Sequence, residues 1–201
     1  ESYTPFGEDI LAQLGPYEAV STPLLLSGIS ERAATQLESL FSRTTLSPLP
    51  VQTSSGFAPD ESTYKLEPGS AISVQLSRGD VTLAGVGTVT EVSGDTVLAF
   101  GHPFFGVGEV AFAFAPAFVS YIVPSDVVPF KLADNGQTLL GTITQDRPAA
   151  IVGTLGQTPD FLPITLTLLD NKSTVVKRFE IVNDERYYAP ILAAATLQLF
   201  D

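Results

Sequence analysis

The feature that most constrains the fold of this chain is a dense succession of short apolar runs from residue 64 onwards. In the first of these runs, Ile72, Val74 and Leu76 alternate with polar residues, which is the pattern of a β-strand with one buried face. The segments VGTVTEV and TVLAF then flank Ser93-Gly94-Asp95, where the glycine suits the positive φ of a tight hairpin turn. This part of the chain is therefore predicted to be mainly β.

The composition agrees with many short strands joined by turns. Apolar residues make up 44% of the 201 residues and charged residues only 16%, which is typical of a chain that forms a large core. The 16 glycines and 15 prolines are residues that mark turns. Further strands are predicted near residues 110–123, 138–145, 149–155 and 162–169, with a second hairpin turned at residues 170–172.

The N-terminal part is predicted to be an arm with one amphipathic helix, over about residues 30–43. Ser30 is placed to cap this helix, and Glu31 suits the positive end of the helix dipole. Ahead of the helix, the apolar triplet Leu24–Leu26 predicts a short strand. One face of the helix is predicted to be apolar, with Ala33, Ala34, Leu37, Leu40 and Phe41 at helical spacing.

The segment from residue 44 to residue 63 is rich in serine, threonine and proline, and this composition predicts an irregular linker. The chain is thus expected to divide into an N-terminal arm, residues 1–63, and a β domain, residues 64–201. Near the C-terminus, APILAAATLQLF is ambiguous between strand and helix. Its alanines favour a helix, but its apolar spacing does not decide the matter.

The charge balance excludes some classes of partner. The formal net charge is −12, and the ten basic residues are scattered. Nucleic acids and anionic membrane surfaces need clustered lysines and arginines, so neither is an expected partner. The chain has no cysteine, which excludes disulfides, thiolate–zinc sites and a cysteine nucleophile.

No cofactor and no metal site are predicted. One histidine and scattered acids do not make a zinc set. The turns SGDT, DNGQ and DNKS lack the full carboxylate ladder of a calcium loop. The segment GVGTVT is not a phosphate loop, because neither a lysine nor a helix start follows it.

No transmembrane segment is predicted, because no run reaches the roughly 18 uninterrupted apolar residues that a spanning helix needs. The longest candidate, Val110 to Val123, is interrupted by Pro116 and Ser120 and is expected to form buried strand and turn. The chain begins at Glu1 without an apolar signal region. We therefore expect a mature or excised product from which any signal peptide is absent.

Three segments, in order, carry a resemblance to a known family. LEPGSAISVQLSRGD comes first, GVGTVTEVSGDTVLAFGHPFF second, and KLADNGQTLLGTITQDRPAAIVGTLGQTP third. Together they resemble the SpoIVB-type serine peptidase domain, named for the sporulation signalling protease. The resemblance is strongest to bacterial members outside sporulation that carry a Gly-His-Pro motif, and it covers about residues 66–168.

This resemblance implies a mainly β fold: a chymotrypsin-like or related β-barrel or sandwich of short antiparallel strands, with one or two peripheral helices. It also implies serine peptidase activity and an extracytoplasmic location, in the periplasm, at the cell surface or secreted. His102, the only histidine of the chain, matches the family's general base. A serine hydroxyl needs such a base, together with an acid that orients the imidazole and N–H donors for the oxyanion. Taken alone, however, a histidine in a GHP turn is more often structural and held by backbone partners.

The nucleophile is the missing part. In the family it lies in a Gly-x-Ser-Gly-type segment after the histidine, and this chain has no such segment. Ser120 lies in an apolar run, Ser125 follows a proline, and Ser173 falls in a predicted hairpin turn. Ser93 comes before the histidine and is better explained as part of a turn.

Four carboxylates are candidates to orient the imidazole: Asp80, Glu109, Asp126 and Asp146. Glu109 is the nearest to the histidine in sequence. Asp146 precedes Arg147 in the string QDR, where a structural Asp–Arg pair or a turn cap is the more common role. The sequence does not choose among the four.

Three functional hypotheses follow. The first is an extracytoplasmic SpoIVB-peptidase-like β domain, catalytically incomplete in this chain, that acts in protein interaction, self-association or assembly. The second is an active serine endopeptidase whose nucleophilic serine lies beyond residue 201. The third is a polysaccharide- or ligand-binding β-sandwich, which requires Phe112 and Phe114 of the AFAFAPAF segment to form an exposed aromatic row.

Overall fold

The computed structural model of the chain describes residues 22–41, 46–51, 60–124, 130–170 and 173–201. It is mainly β, with 56% strand, which confirms the predicted class at that level. The described strands are β1 Thr22–Ser27, β2 Leu46–Pro50, β3 Ala71–Gly79, β4 Thr82–Ser93, β5 Thr96–Ala99, β6 Gly108–Val123, β7 Phe130–Asn135, β8 Gly141–Arg147, β9 Ala150–Leu155, β10 Phe161–Leu169 and β11 Thr174–Val182. The described helices are α1 Glu31–Phe41 and α2 Glu185–Gln198, with a short 3₁₀ turn at Glu61–Thr63.

Six of these strands close into an antiparallel barrel, in the order β3, β4, β5, β9, β8, β6 and back to β3. Two long strands, β4 and β6, each have a barrel neighbour on either edge, and β6 pairs with β8 over residues 108–114 and with β3 over residues 113–116. β4 pairs with β3 up to Thr88 and with β5 from Val89 onwards. Register shifts near Val89 in β4 and between Glu109 and Phe112 in β6 mark the bends that such coiling needs.

The local turn predictions are confirmed. β4 and β5 form a hairpin in which Ser93 pairs with Thr96, and Gly94 has a φ of 57° in the two-residue turn between them. β10 and β11 form the second hairpin, which is framed by mutual backbone hydrogen bonds between Asp170 and Ser173. A turn depends on a few adjacent residues, so it can be predicted from the sequence alone.

Five strands extend the barrel. β1 pairs antiparallel with β4, and β2 pairs parallel with β1. β11 pairs with the end of β3 and carries β10, while β7 pairs with the outer half of β6. β2 corrects the prediction of an irregular linker at residues 46–50, whereas residues 44–45 and 52–59 of that predicted linker lie outside the described residues. The prolines of β2 are tolerated because edge strands need not donate every N–H. The predicted boundary between residues 63 and 64 stays a prediction, although β1 is hydrogen-bonded to the barrel.

The predicted helix begins as expected. The Ser30 hydroxyl accepts the N–H of Ala33 at 3.2 Å, which confirms the cap, and α1 buries Ala33, Ala34, Leu37 and Phe41. The ambiguous C-terminal segment is helical: α2 is capped by Asp184, whose carboxylate accepts the N–H of Arg186. The two helices pack against each other beside the strands.

Burial differs from the sequence prediction in two strands. In β3, residues 72–77 are buried on both faces, including the polar Ser73, Gln75 and Ser77 that alternation alone would place towards solvent. In β6, residues 112–117 are buried, but Tyr121 and Ile122 are 59% and 61% exposed. The prediction of a buried segment over Val110 to Val123 is therefore correct only for the part of β6 that lies in the barrel.

Candidate functional site

The histidine lies in a loop, residues 100–107, that connects β5 to β6 and contains the motif GHPFFG. Phe100 has a φ of 74° and Gly101 a φ of 72°, so two consecutive residues are left-handed just before His102. Glycine adopts this conformation freely, whereas for phenylalanine it costs about 1–2 kcal/mol. The surrounding structure must therefore hold Phe100 in place.

Two glycines of β4 make room for the aromatic rings of this loop. A Cβ on Gly87 would lie 2.0 Å from the ring of Phe100, and a Cβ on Gly85 would lie 2.4 Å from the ring of Phe104. Both distances are far below van der Waals contact, so only glycine fits at either position. The segment GVGTVT is thus a platform for the phenylalanines of the loop, which gives a physical reason for its glycines.

The carboxylate of Asp146 holds the other half of the loop. This side chain on β8 is fully buried and accepts three backbone N–H groups, from Phe104 at 2.8 Å, Phe105 at 2.6 Å and Gly106 at 2.9 Å. Of the two structural roles considered for Asp146 from the sequence, an Asp–Arg pair and a turn cap, these hydrogen bonds correspond to the turn cap. The guanidinium of Arg147 donates instead to the Gln145 side chain, at 2.9 Å.

His102 is half-buried, and its ring centroid lies 5.5 Å from that of Phe100. Its Nδ1 is 2.8 Å from the carbonyl oxygen of Pro103. A carbonyl can only accept a hydrogen bond, so this contact requires Nδ1 to carry a proton and leaves the lone pair of the neutral ring on Nε2. Among the described residues, no hydroxyl and no carboxylate is hydrogen-bonded to either ring nitrogen.

The structure does not bring the candidate serines to the histidine. Ser120 lies in the outer part of β6, away from the loop, and its hydroxyl donates to the carbonyl of Leu132 at 3.2 Å. Ser173 closes the turn between β10 and β11, and Ser93 closes the turn between β4 and β5. Ser125 lies outside the described residues.

Of the remaining candidate carboxylates, the two that the structure describes are engaged elsewhere or directed to solvent. Asp80 accepts the backbone N–H of Arg178 at 2.7 Å. Glu109 is exposed on β6, opposite Gln145. Asp126 lies outside the described residues. Of the three candidate carboxylates that the structure describes, Asp146 is therefore the one hydrogen-bonded to the histidine loop, through backbone amides.

An aromatic cluster that the sequence did not reveal links this loop to the helices. The ring of Phe105 lies 4.6 Å from that of Tyr187 on α2 and 6.0 Å from that of Phe41 on α1. Phe104 and Phe112 join the same cluster. Burial raises the pKa of Tyr187 to about 12. The loop is thus anchored on one side by Asp146 and on the other by both helices.

The third functional hypothesis fails on burial. Phe112 and Phe114 are both 0% exposed and lie in the core, so they cannot present an aromatic row to a sugar or another ligand. Within the described ranges, no group of three or more histidine, cysteine, aspartate or glutamate side chains is placed to hold a metal ion. In the same part of the chain, the helices are too short or too polar to span a bilayer.

Comparisons with models of known protein families, with curated proteins and with solved structures find no match to this chain.

Proposed function

We propose that this chain is an extracytoplasmic SpoIVB-peptidase-like β domain that is catalytically incomplete by itself and acts in protein interaction or assembly. A closed six-stranded antiparallel barrel agrees with the chymotrypsin-like architecture that the sequence resemblance implies, and that finer fold assignment is part of the proposal. Some of the motif residues that carry the resemblance build and hold the loop around His102: Gly85 and Gly87 make room for its rings, and Asp146 binds its amides.

The observation that supports this proposal most directly is the set of partners of His102 and Asp146. Acyl transfer needs a hydroxyl within about 2.6–3.2 Å of the basic nitrogen, and an acid on the other nitrogen. In the described residues, the partner of Nδ1 is the Pro103 carbonyl, and the nearest buried carboxylate is committed to three loop amides. This arrangement favours a retained scaffold over a complete catalytic site.

A fluorophosphonate probe applied to the full-length protein tests the proposal, because such probes form a covalent bond only with an activated serine. We expect no labelling. An active serine peptidase treated in parallel verifies that the probe is reactive. Covalent labelling of this protein that disappears in His102→Ala but persists in Ser120→Ala would overturn the proposal.

The second candidate, an active serine endopeptidase whose serine lies beyond residue 201, is favoured by one specific observation. With its proton held on Nδ1 by the Pro103 carbonyl, His102 carries its lone pair on Nε2, which is the tautomer that a general base needs. This candidate predicts the opposite result in the same experiment. Peptide mapping of the labelled protein would then place the probe on a serine that follows Asp201.

A further inference from the structure

The strand β10 has an edge that no described residue covers. Within the described sheet it pairs with β11 on one side only. Natural proteins protect such edges with prolines or charges, because unpaired backbone groups recruit other strands. β2, at the opposite end of the sheet, has two prolines in five residues, and β7, which pairs only with β6, carries Lys131 and Asp134. β10 has the sequence FLPITLTLL, with no charge in nine residues and one proline near its start.

The hydrogen bonds at both ends of β10 show which backbone groups point away from β11. Asp170 and Ser173 exchange both of their backbone hydrogen bonds, and the carbonyl of Asp160 accepts the N–H of Asn183. The pairing between these two ends is regular, from Phe161 opposite Val182 to Leu169 opposite Thr174. Because bonded and non-bonded pairs alternate in an antiparallel ladder, the even-numbered residues of β10 bond to β11. The odd-numbered residues therefore direct their N–H and C=O groups to the open edge.

The position of Pro163 in this alternation determines which edge of β10 loses a hydrogen-bond donor. It is odd-numbered, so the N–H that it lacks is one that would have faced the open edge. The open edge is therefore interrupted at Pro163, and beyond this proline it has donors at Thr165, Thr167 and Leu169. The loss of a donor at Pro163 leaves the pairing with β11 intact, because an odd-numbered residue does not bond to that strand.

The side chains beside these donors suit contact with another strand. Thr165, Thr167 and Leu169 are exposed, and Leu169 is 76% exposed. The whole chain carries a net charge of −12, so most of its surface repels a second copy, but this edge is neutral. β10 carries neither a positive nor a negative side chain, so the strand has no electrostatic preference for a basic or an acidic partner.

We propose that β10 pairs antiparallel with β10 of a second copy of this chain, about a two-fold axis at Thr167. In this register Thr167 faces Thr167 of the other copy, and Thr165 faces Leu169. The three donors beyond Pro163 in each copy are then used, in six hydrogen bonds between the copies, and Pro163 stays outside these three pairs. The result is a continuous sheet through β11, β10 and their symmetry equivalents, with the same surface used by both copies.

Six hydrogen bonds along one strand form a small interface, so the dimer is expected to be weak and dependent on concentration. The inference identifies a second copy of the chain as the partner in the assembly role proposed above, and only this identification rests on the proposed function. It uses no property of His102. Failure of the dimer would therefore leave the fluorophosphonate experiment unaffected, and covalent labelling would leave the dimer unaffected.

Analytical ultracentrifugation of the chain, from low micromolar to several hundred micromolar, tests the proposal. We expect the wild type to shift from monomer towards dimer as its concentration rises. Thr167→Lys and Thr167→Glu each place like charges opposite one another at the axis, so each alone should weaken the dimer by about fivefold or more. A mixture of the two variants should associate again, because opposite charges then meet across the axis.

Thr90→Lys is the matched control, since Thr90 is an exposed threonine on β4, away from the edge. It should associate like the wild type, and far-UV circular dichroism should show that all variants are folded. A dimer that Thr167→Lys does not weaken would overturn the proposal, because the interface would then lie elsewhere. A wild type that stays monomeric would also overturn it. If the amides of Thr165, Thr167 and Leu169 were then protected from hydrogen exchange, another segment of the chain would be the occupant of the edge.

Discussion

At the scale of single residues, the loop around His102 depends on a few contacts that cannot be exchanged for similar ones. The three amides of residues 104–106 converge on one carboxylate, and that carboxylate is fully buried. The rings of Phe100 and Phe104 lie where any side chain on Gly87 or Gly85 would be. The conformation of the loop that carries His102 is therefore held by residues of β4 and β8.

Asp146→Asn should destabilise the chain strongly, because a carboxamide presents one NH₂ group to amides that all donate. We expect the free energy of unfolding to fall by about 2–4 kcal/mol, since hydrogen bonds to a buried charge are among the strongest and one donor is left without an acceptor. Urea denaturation at pH 7 measures this change. Asp95→Asn, in the exposed β4–β5 turn, is the control and should stay within about 0.5 kcal/mol of the wild type. An equally small effect at Asp146 would mean that the three hydrogen bonds do not hold the loop.

Gly87→Ala should displace the ring of Phe100 and cost about 1–3 kcal/mol of stability, since a methyl group at this position overlaps the ring. The cause can be isolated with Phe100→Gly, which removes the ring and also relieves the left-handed backbone. In the Phe100→Gly background the same Gly87→Ala substitution should cost much less. Equal costs in both backgrounds, measured by denaturation, would show that the two residues do not interact.

At the scale of secondary-structure elements, the sequence predicted what is encoded locally. The turns at Gly94 and after Asp170, the cap at Ser30 and the strand at Leu24–Leu26 each depend on a few adjacent residues, and each is confirmed. The strand order, by contrast, could not be predicted from local sequence, because it is set by contacts between residues that are distant in the chain. The parallel pairing of β2 with β1 could not be inferred from LSPLP, whose prolines predict a loop.

Helix α2 offers a test of a cap and its charge. The Asp184 carboxylate accepts from the backbone N–H and the guanidinium of Arg186, and chiefly the guanidinium hydrogen bond lowers the pKa of that carboxyl. A lowered folded-state pKa adds stability that is present above the unfolded pKa of about 3.9 and is lost as the pH falls through the folded value. Asp184→Asn keeps a cap acceptor but loses the charge. It should therefore cost about 0.5 kcal/mol at pH 7, a value reduced by solvent screening, and less near pH 2 as the carboxylate of the wild type becomes protonated.

Urea denaturation of the wild type and of Asp184→Asn at both pH values measures this difference. Glu91→Gln on β4 removes an exposed charge and serves as the control. It should show no comparable dependence on pH. A cost for Asp184→Asn that is the same at both pH values would contradict the assigned role of the charge.

At the scale of the whole molecule, the candidate site lies where three separate parts of the chain meet. The loop after β5 supplies His102, β8 supplies Asp146, and the two helices supply Phe41 and Tyr187. The sequence identified the histidine and included Asp146 among four carboxylates. It could not show which carboxylate reaches the loop, because residues 104 and 146 are brought together only by the pairing of β6 with β8.

One buried and one partly buried tyrosine, Tyr187 and Tyr64, make the stability of the folded chain sensitive to high pH. Burial raises the pKa of both Tyr187 and Tyr64 to about 12, against an ordinary value of about 10. A raised folded-state pKa means that the stability is fully present below pH 10 and is lost as the pH rises towards 12, because the unfolded chain ionises first. Each of the two tyrosines should lower the free energy of unfolding by about 1.4 kcal/mol per pH unit in that window. Tyr187→Phe should therefore roughly halve the slope measured by denaturation between pH 10 and 12, while Tyr121→Phe, which changes an exposed tyrosine, should leave it unchanged. A slope that Tyr187→Phe does not reduce would mean that this side chain ionises as freely in the folded protein as in the unfolded chain.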